Sequence, residues 1–147
     1  MNVFKTIAAI LLVLFFIGCD SKGDLSPAEV HWDRDGCERC KMIISDRGFA
    51  AQIINKQDTK AYKFDDIGCL IMWIVEEKVT WKKDAKIYVI DADSKKWIDA
   101  RTAFYSHPNV TPMSYGFAAY SDKNKIPKGK EVAGFSEVEA RVVKGEE

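Results

Sequence analysis

The feature that most limits how this chain folds is an apolar segment near its start. Residues 6–17 carry no charged side chain, and Lys5 is the only charged residue before them. Twelve residues are too few for an ordinary membrane span but match the hydrophobic region of a secretory signal. The segment ends at Gly18-Cys19, which resembles the lipobox of bacterial lipoproteins. We therefore expect residues 1–18 to be removed as a signal peptide and Cys19 to be lipidated.

Lipidation would place the rest of the chain at a membrane surface, because a cysteine with two or three acyl chains anchors stably. Asp20 follows the cysteine, and an aspartate there favours retention at the inner membrane of enteric bacteria. We expect a cell-membrane lipoprotein that faces the periplasm, with the inner membrane favoured over the outer. Residues 19–30 then form a lipid-anchored linker, residues 31–143 one domain and residues 144–147 a charged tail.

Charge and motif content exclude several classes of function. Lys and Arg number 22 and so do Asp and Glu, so the net charge is zero, whereas nucleic-acid binders usually carry a basic excess. The sequence shows no Ser/His/Asp arrangement, no paired-acid motif and no glycine-rich phosphate loop. The chain is therefore expected to bind no nucleic acid and not to be an enzyme.

Hydrophobic periodicity predicts an α+β fold, a small domain of two similar strand-strand-helix units. Apolar residues recur at helical spacing over residues 67–77, and Asp65-Asp66 precede them as an N-cap. Asp99 likewise predicts a short helix over residues 100–106. The sequence Gly-Phe-Ala-Ala occurs at both 48 and 116, which favours two related units. Strands are predicted at 48–54, 61–64, 86–91, 96–98 and 117–120, and a last strand or short helix at 132–133 with 138–143.

The motif Cys37-x-x-Cys40-x-Met42 is the strongest candidate for chemistry. Two thiols three residues apart can bind one metal ion, and thiolate with thioether favours Cu(I) over harder ions. Zinc would usually require a second Cys or His pair, which does not follow. A thioredoxin-like motif would lie between a strand and a helix, whereas this motif follows a polar loop.

Met113 is the second candidate, since Pro112 and Gly116 bracket it in a loop that would display its thioether. His31 and His107, the only histidines, are weaker candidate metal ligands. Cys69 lies in the first turn of the predicted helix and is expected to be a buried, free core residue. The predicted site therefore consists of Cys37, Cys40, Met42 and Met113.

These motifs occur in one order: CxxCxM, then FDDIGC before a helix, a WIDA segment and TPMxYGFAA. In that order they resemble the NosL family, the copper accessory lipoproteins of nitrous-oxide reductase. The resemblance implies a fold of two similar halves, related to the mercury-lyase accessory proteins. It also implies a Cu(I) chaperone that works with the reductase or its ABC-type maturation complex, and Cu(I) ligands from Cys37, Cys40, Met42 and Met113. Lys41 departs from the glycine that the family often has there.

Three alternatives remain open from the sequence. The protein could be a periplasmic thiol–disulfide oxidoreductase that uses Cys37 and Cys40, in which a disulfide would block copper binding. It could be a copper chaperone for a different client. It could also be a structural lipoprotein whose CxxC forms only a local disulfide.

Overall fold

The computed structural model describes residues 23–145, which form two antiparallel β-sheets and two α-helices. This arrangement confirms the predicted α+β class. The predicted signal peptide, the predicted lipidation site Cys19 and the last two residues of the predicted tail lie outside the described residues. None of the helices in the described part of the chain has the length and hydrophobicity of a membrane-spanning helix.

The first sheet has four strands in the order β2-β1-β3-β4. Their bounds are β1 Ala51–Ile54, β2 Ala61–Phe64, β3 Lys86–Ile90 and β4 Trp97–Asp99. The first helix, α1, spans Ile67–Glu76 and packs on β1 and β2. Its N-cap is Asp66, whose carboxylate accepts a hydrogen bond from the backbone of Gly68 at 2.7 Å. The predicted helix is confirmed to within one residue.

The second sheet has three strands in the order β6-β5-β7. They are β5 Phe104–His107, β6 Ala118–Tyr120 and β7 Glu131–Gly134, and a second helix, α2 Phe135–Lys144, follows directly. Both forms that the sequence allowed for the last segment, a strand and a helix, are therefore present. The two helices pack against each other, and α2 also contacts β5 and β7.

The predicted helix over residues 100–106 is wrong. Asp99 caps a single turn, in which its side chain accepts from Arg101 N at 2.9 Å and its carbonyl accepts from Ala103 N at 3.1 Å. The chain then becomes β5, the central strand of the second sheet, which pairs with β6 on one side and β7 on the other. Backbone pairing on both edges outweighs the weak local preference for helix.

The second strand-strand-helix unit, for which the sequence pattern predicted residues 87–106, also differs from the structure. The first unit closes with a helix, but β3 and β4 complete the first sheet instead of beginning a second unit. The second helix-bearing unit begins at β5. An isolated bridge from Asp91 to Ala119 joins the two sheets, and Asp91 also accepts a hydrogen bond from Ser121 N at 3.1 Å.

Candidate metal centre

The CxxC motif forms a closed loop held at its base. A β-bridge pairs Gly36 with Ile43, and Cys37 N donates to the carbonyl of Met42 at 2.7 Å. Glu38 N donates to the carbonyl of Lys63 at 2.8 Å, which fixes the loop to β2. The loop therefore lies beside the end of β2, where the chain turns into α1.

The start of α1 supplies two further polar groups to this position. Asp65 follows β2 directly, and Cys69 is the third residue of the helix. Both are buried. The Cys40 thiol donates a hydrogen bond to Asp65 Oδ2 over 3.4 Å. This bond connects the CxxC loop to the segment between β2 and α1.

Together these residues form a cluster of three thiols and one carboxylate. The Sγ atoms of Cys37, Cys40 and Cys69 and one oxygen of Asp65 all lie within 4.8 Å of one another. All three cysteines are free. Cys37 and Cys69 are buried and Cys40 is partly exposed, so the cluster is accessible mainly from the Cys40 side.

The protein stabilises one thiolate in this cluster at neutral pH. The pKa of Cys37 is lowered to about 6, chiefly because the Cys69 thiol donates a hydrogen bond to it. Hydrogen bonds from the backbones of Cys40 and Asp65 lower the pKa further, whereas burial opposes the decrease. Burial, with the nearby charges of Cys37 and Asp65, raises the pKa of Cys40 to about 11. The pKa of Cys69 is also raised, chiefly because its thiol donates to Cys37. The first proton of the cluster is therefore lost below pH 7 and the next ones well above it.

The donor set fits a soft monovalent cation. Thiolate sulfur is a soft ligand, and three sulfurs that approach one point suit the low coordination numbers of Cu(I). Asp65 Oδ1 is buried and has no hydrogen-bond partner among residues 23–145, which is costly unless a cation or solvent approaches it. A negative carboxylate beneath the thiols would also favour positive charge there.

Met42 lies at the exposed rim of the same loop, with 54% of its surface accessible. The preceding residue, Lys41, has a φ of 62°, in the left-handed region that glycine adopts most readily. A glycine, which the NosL family often has at this position, would adopt this backbone conformation without strain. Compared with glycine, Lys41 adds a positive charge to the loop. Its ammonium donates a hydrogen bond to the carbonyl of Glu38 and lies 3.9 Å from the Glu38 carboxylate, which offsets part of that charge.

The loop that carries Met113 packs against the first turn of α1. Gly68 makes this contact possible, because a Cβ there would lie 2.0 Å from Cγ of Tyr115. Burial raises the pKa of Asp66, the N-cap of this helix, and the hydrogen bond from the backbone of Gly68 opposes that rise. The Met113 side chain is partly buried against the core.

Arg39 joins the CxxC loop to the Met113 loop. Its guanidinium forms two hydrogen bonds with the carboxylate of Glu76, at 2.9 and 2.8 Å, and donates to the hydroxyl of Tyr115 at 3.0 Å. It also lies 4.0 Å from Cys69 Sγ. One side chain therefore links the CxxC loop to α1 and to the loop that carries Met113.

Neither histidine belongs to this cluster. His31 is exposed, and its Nδ1 lies 3.6 Å from a carboxylate oxygen of Asp35. His107 is buried in β5 against Phe117, with Arg141 Nη2 at 3.1 Å from its Nδ1. Both side chains have polar partners away from the thiols.

Comparison with known proteins agrees with this fold. The sequence profile of the NosL family matches residues 27–140. The chain belongs to the NosL family. Among solved structures, one similar protein is the copper chaperone NosL from Shewanella denitrificans, with 18% sequence identity and a TM-score of 0.62. The match covers 76% of this chain and 94% of that one, so the fold is shared. No curated protein is significantly similar to the chain.

This NosL-family chain brings together two site residues that the sequence alone did not identify. Cys69 is buried, as expected, but its sulfur lies among the other two thiols instead of in a purely apolar core. Asp65 faces Cys40, and only Asp66 caps the helix. The signal that could have found them is the spacing in FDDIGC, because it places an acid at a strand end and a thiol in the next helical turn.

Proposed function

We propose that this protein is a lipid-anchored metallochaperone that binds Cu(I) outside the cytoplasm. It delivers copper for maturation of the copper centres of nitrous-oxide reductase, either to the enzyme or to its ABC-type maturation complex. The client follows from the resemblance of the sequence motifs to the NosL family, and the anchor from the lipobox at Cys19.

One observation carries the proposal: three thiols and a carboxylate from two separate segments lie within 4.8 Å of one another. The ion would be held by Cys37, Cys40 and Cys69, with a thioether from Met42 or Met113. Cys37 would bind without displacing a proton at neutral pH, because its pKa is already lowered to about 6. A thiolate is the form in which cysteine binds metals.

Transfer would occur by stepwise exchange of soft ligands. Met42 is exposed and Cys40 is partly exposed, so a donor on the acceptor protein could bind the ion from that side. As the new ligand binds, Cys40 leaves the ion and takes up a proton, which its raised pKa favours. No electron is transferred, and copper stays Cu(I) throughout.

The first experiment measures Cu(I) binding by the acylated protein, reduced and kept in detergent without oxygen. In competition with a chromophoric Cu(I) chelator, we expect one copper per chain. Absence of uptake would contradict the proposal. Zn(II) added in parallel should fail to displace the copper, whereas displacement would make zinc the physiological cargo.

The two methionines are tested together, because either thioether can complete the ligand set. Met42→Ala with Met113→Ala is expected to weaken Cu(I) binding about tenfold, the loss of one soft donor among several. The matched control is Met72→Leu, in α1, which removes a thioether from a partly buried position outside both loops. Unchanged affinity in the double variant would exclude both methionines as ligands.

The pH dependence of binding counts the thiolates in the complex. Because only Cys37 is ionised at pH 7, binding by all three sulfurs must release two protons, so the apparent affinity should rise about 100-fold per pH unit between pH 7 and 9. Below about pH 6 the rise becomes steeper, since Cys37 then also loses a proton on binding. A slope of tenfold per unit, after correction for the chelator, would mean that only two thiolates bind.

A thiol–disulfide oxidoreductase remains the second candidate, because the lowered pKa of Cys37 is also a property of redox-active CxxC motifs. Its attacking thiol would need access to a disulfide, whereas Cys37 is 1% exposed. Turnover in an insulin-reduction assay would support this function. Mass spectrometry after anaerobic purification separates the third case, since a purely structural CxxC would be isolated as a metal-free disulfide.

A further inference from the structure

The segment before the metal centre is attached to one face of the first sheet. Residues 25–29, the sheet strap, contact a row of three cross-strand neighbours: Gln52 in β1 pairs with Lys63 in β2 and with Tyr88 in β3. Gln52 exchanges two hydrogen bonds with the backbone of Ala28, at 2.9 and 2.8 Å. The other two contacts are Tyr88 Oη to the carbonyl of Leu25, at 3.0 Å, and Lys63 Nζ to the carbonyl of Glu29, at 2.5 Å.

These contacts make the strap part of the folded domain. Gln52 is completely buried, so its side-chain amide must be satisfied by the strap, and releasing the strap would leave polar groups unpaired. The tether between the proposed acylated Cys19 and the domain is therefore much shorter than the linker expected over residues 19–30.

The strap leaves the sheet at the turn between β1 and β2. At Gly23 the chain touches this turn, because a Cβ on Gly23 would lie 2.2 Å from the methyl group of Thr59. Four peptide steps separate Cys19 from Gly23, and at full extension they reach about 14 Å. The lipid surface must then lie within that distance of Gly23.

The metal centre is at the other end of the same strand. Thr59 precedes β2 and Asp65 follows it, and six residues at about 3.3 Å each separate the two ends by roughly 20 Å. Residues 56–60 are exposed and polar, and among residues 23–145 the exposed large hydrophobic side chains all lie outside this turn. Such a turn suits contact with lipid headgroups and not insertion into the acyl region.

We propose that the β1–β2 turn, residues 55–60, faces the lipid headgroups and that the short tether holds the thiol cluster away from the bilayer. The proposal rests on the acylation of Cys19 in the proposed function. It assigns the partner of this surface, a phospholipid bilayer, and it leaves the Cys40 and Met42 side of the site open to a protein acceptor in the periplasm.

The test compares two fluorescent positions on the acylated full-length product in vesicles. A fluorescent unnatural amino acid replaces either Gln57, in the turn, or Val110, which is 95% exposed on the segment leading to the Met113 loop. The vesicles contain phosphatidylethanolamine, phosphatidylglycerol and headgroup-spin-labelled lipid, which quenches at short range. Quenching is expected to be about fivefold stronger at residue 57 than at residue 110.

Equal quenching, or stronger quenching at residue 110, would overturn the orientation. Inserting about twelve Gly/Ser residues between Lys22 and Gly23 lengthens the tether to a flexible coil and should reduce the difference below about twofold. A difference that persists would show that tether length does not orient the domain, and this also overturns the proposal.

Two separate measurements distinguish a lack of acylation at Cys19 from a lack of copper binding. Intact mass spectrometry shows whether Cys19 carries acyl chains, and an unacylated product would overturn the anchor together with the orientation. Cu(I) competition on the same vesicles reports the metal centre alone. Neither labelled position is among the proposed ligands, so copper affinity should stay within about twofold of the unlabelled protein.

Discussion

Replacing Cys69 by serine is expected to weaken Cu(I) binding about 100-fold, or about 2.7 kcal/mol, while the domain stays folded. The Cys69 sulfur lies within 4.8 Å of the other two, so its loss removes a ligand that no neighbouring cysteine replaces. The pH slope of binding should fall at the same time from about 100-fold to about tenfold per unit, since one fewer proton is displaced. Chelator competition measures the affinity, and circular dichroism checks folding.

Cys69→Ala separates the role of ligand from that of hydrogen-bond donor. Serine can still donate to Cys37, whereas alanine cannot, so only alanine should raise the pKa of Cys37 from about 6 toward its ordinary value. The ultraviolet absorbance of the thiolate, titrated without metal, follows this pKa. If serine preserves native affinity and alanine alone weakens it, Cys69 only tunes Cys37. If both variants bind copper like the native protein, Cys69 has neither role.

The elements that were predicted from the sequence are those that local signals determine. Helix α1 has an N-cap at Asp66 and apolar residues at helical spacing, and both lie within one short segment. Strand β5 has no such local determinant, because its partners β6 and β7 come later in the chain. Residues 100–106 therefore looked helical after Asp99, although Tyr105 is fully buried in a central strand.

In the candidate site, likewise, some residues could be predicted from local sequence and others only from tertiary packing. Cys37 and Cys40 could be paired from their spacing alone, since three residues of one loop bring both thiols together. Cys69 and Asp65 join them only because β2 carries the start of α1 to the CxxC loop, which the Glu38 N to Lys63 carbonyl bond fixes in place. The spacing in FDDIGC brings an acid and a thiol close together, but it does not show that they meet the CxxC loop, so Cys69 was assigned to the core. The roles of Met42 and Met113 stay predictions.

The contact between Gly68 and Tyr115 gives the second large effect. Gly68→Ala is expected to destabilise the domain by about 2 kcal/mol, because the new Cβ would lie 2.0–2.6 Å from three atoms of Tyr115, and a partly buried ring has limited freedom to move. Displacing Tyr115 also breaks its hydrogen bond with Arg39, which frees the Met113 loop from the CxxC loop. Denaturant unfolding measures the stability. In a Met42→Ala background, Cu(I) competition should show that Gly68→Ala causes a loss of affinity similar to that of Met113→Ala in the same background.

The matched control is Gly134→Ala, where a Cβ would meet nothing within 4 Å and the backbone φ is −93°. At this N-cap of α2 alanine is less favourable than glycine, so the cost should be at most about 1 kcal/mol, below that of Gly68→Ala. Removing the Tyr115 ring should also remove the destabilisation caused by Gly68→Ala. In a Tyr115→Ala background, Gly68→Ala should be neutral or stabilising, because alanine favours helix over glycine by about 1 kcal/mol. A cost of 2 kcal/mol that persists in that background would mean that the glycine is required for a reason other than the position of Tyr115, and the coupling between the two loops through α1 would then be wrong.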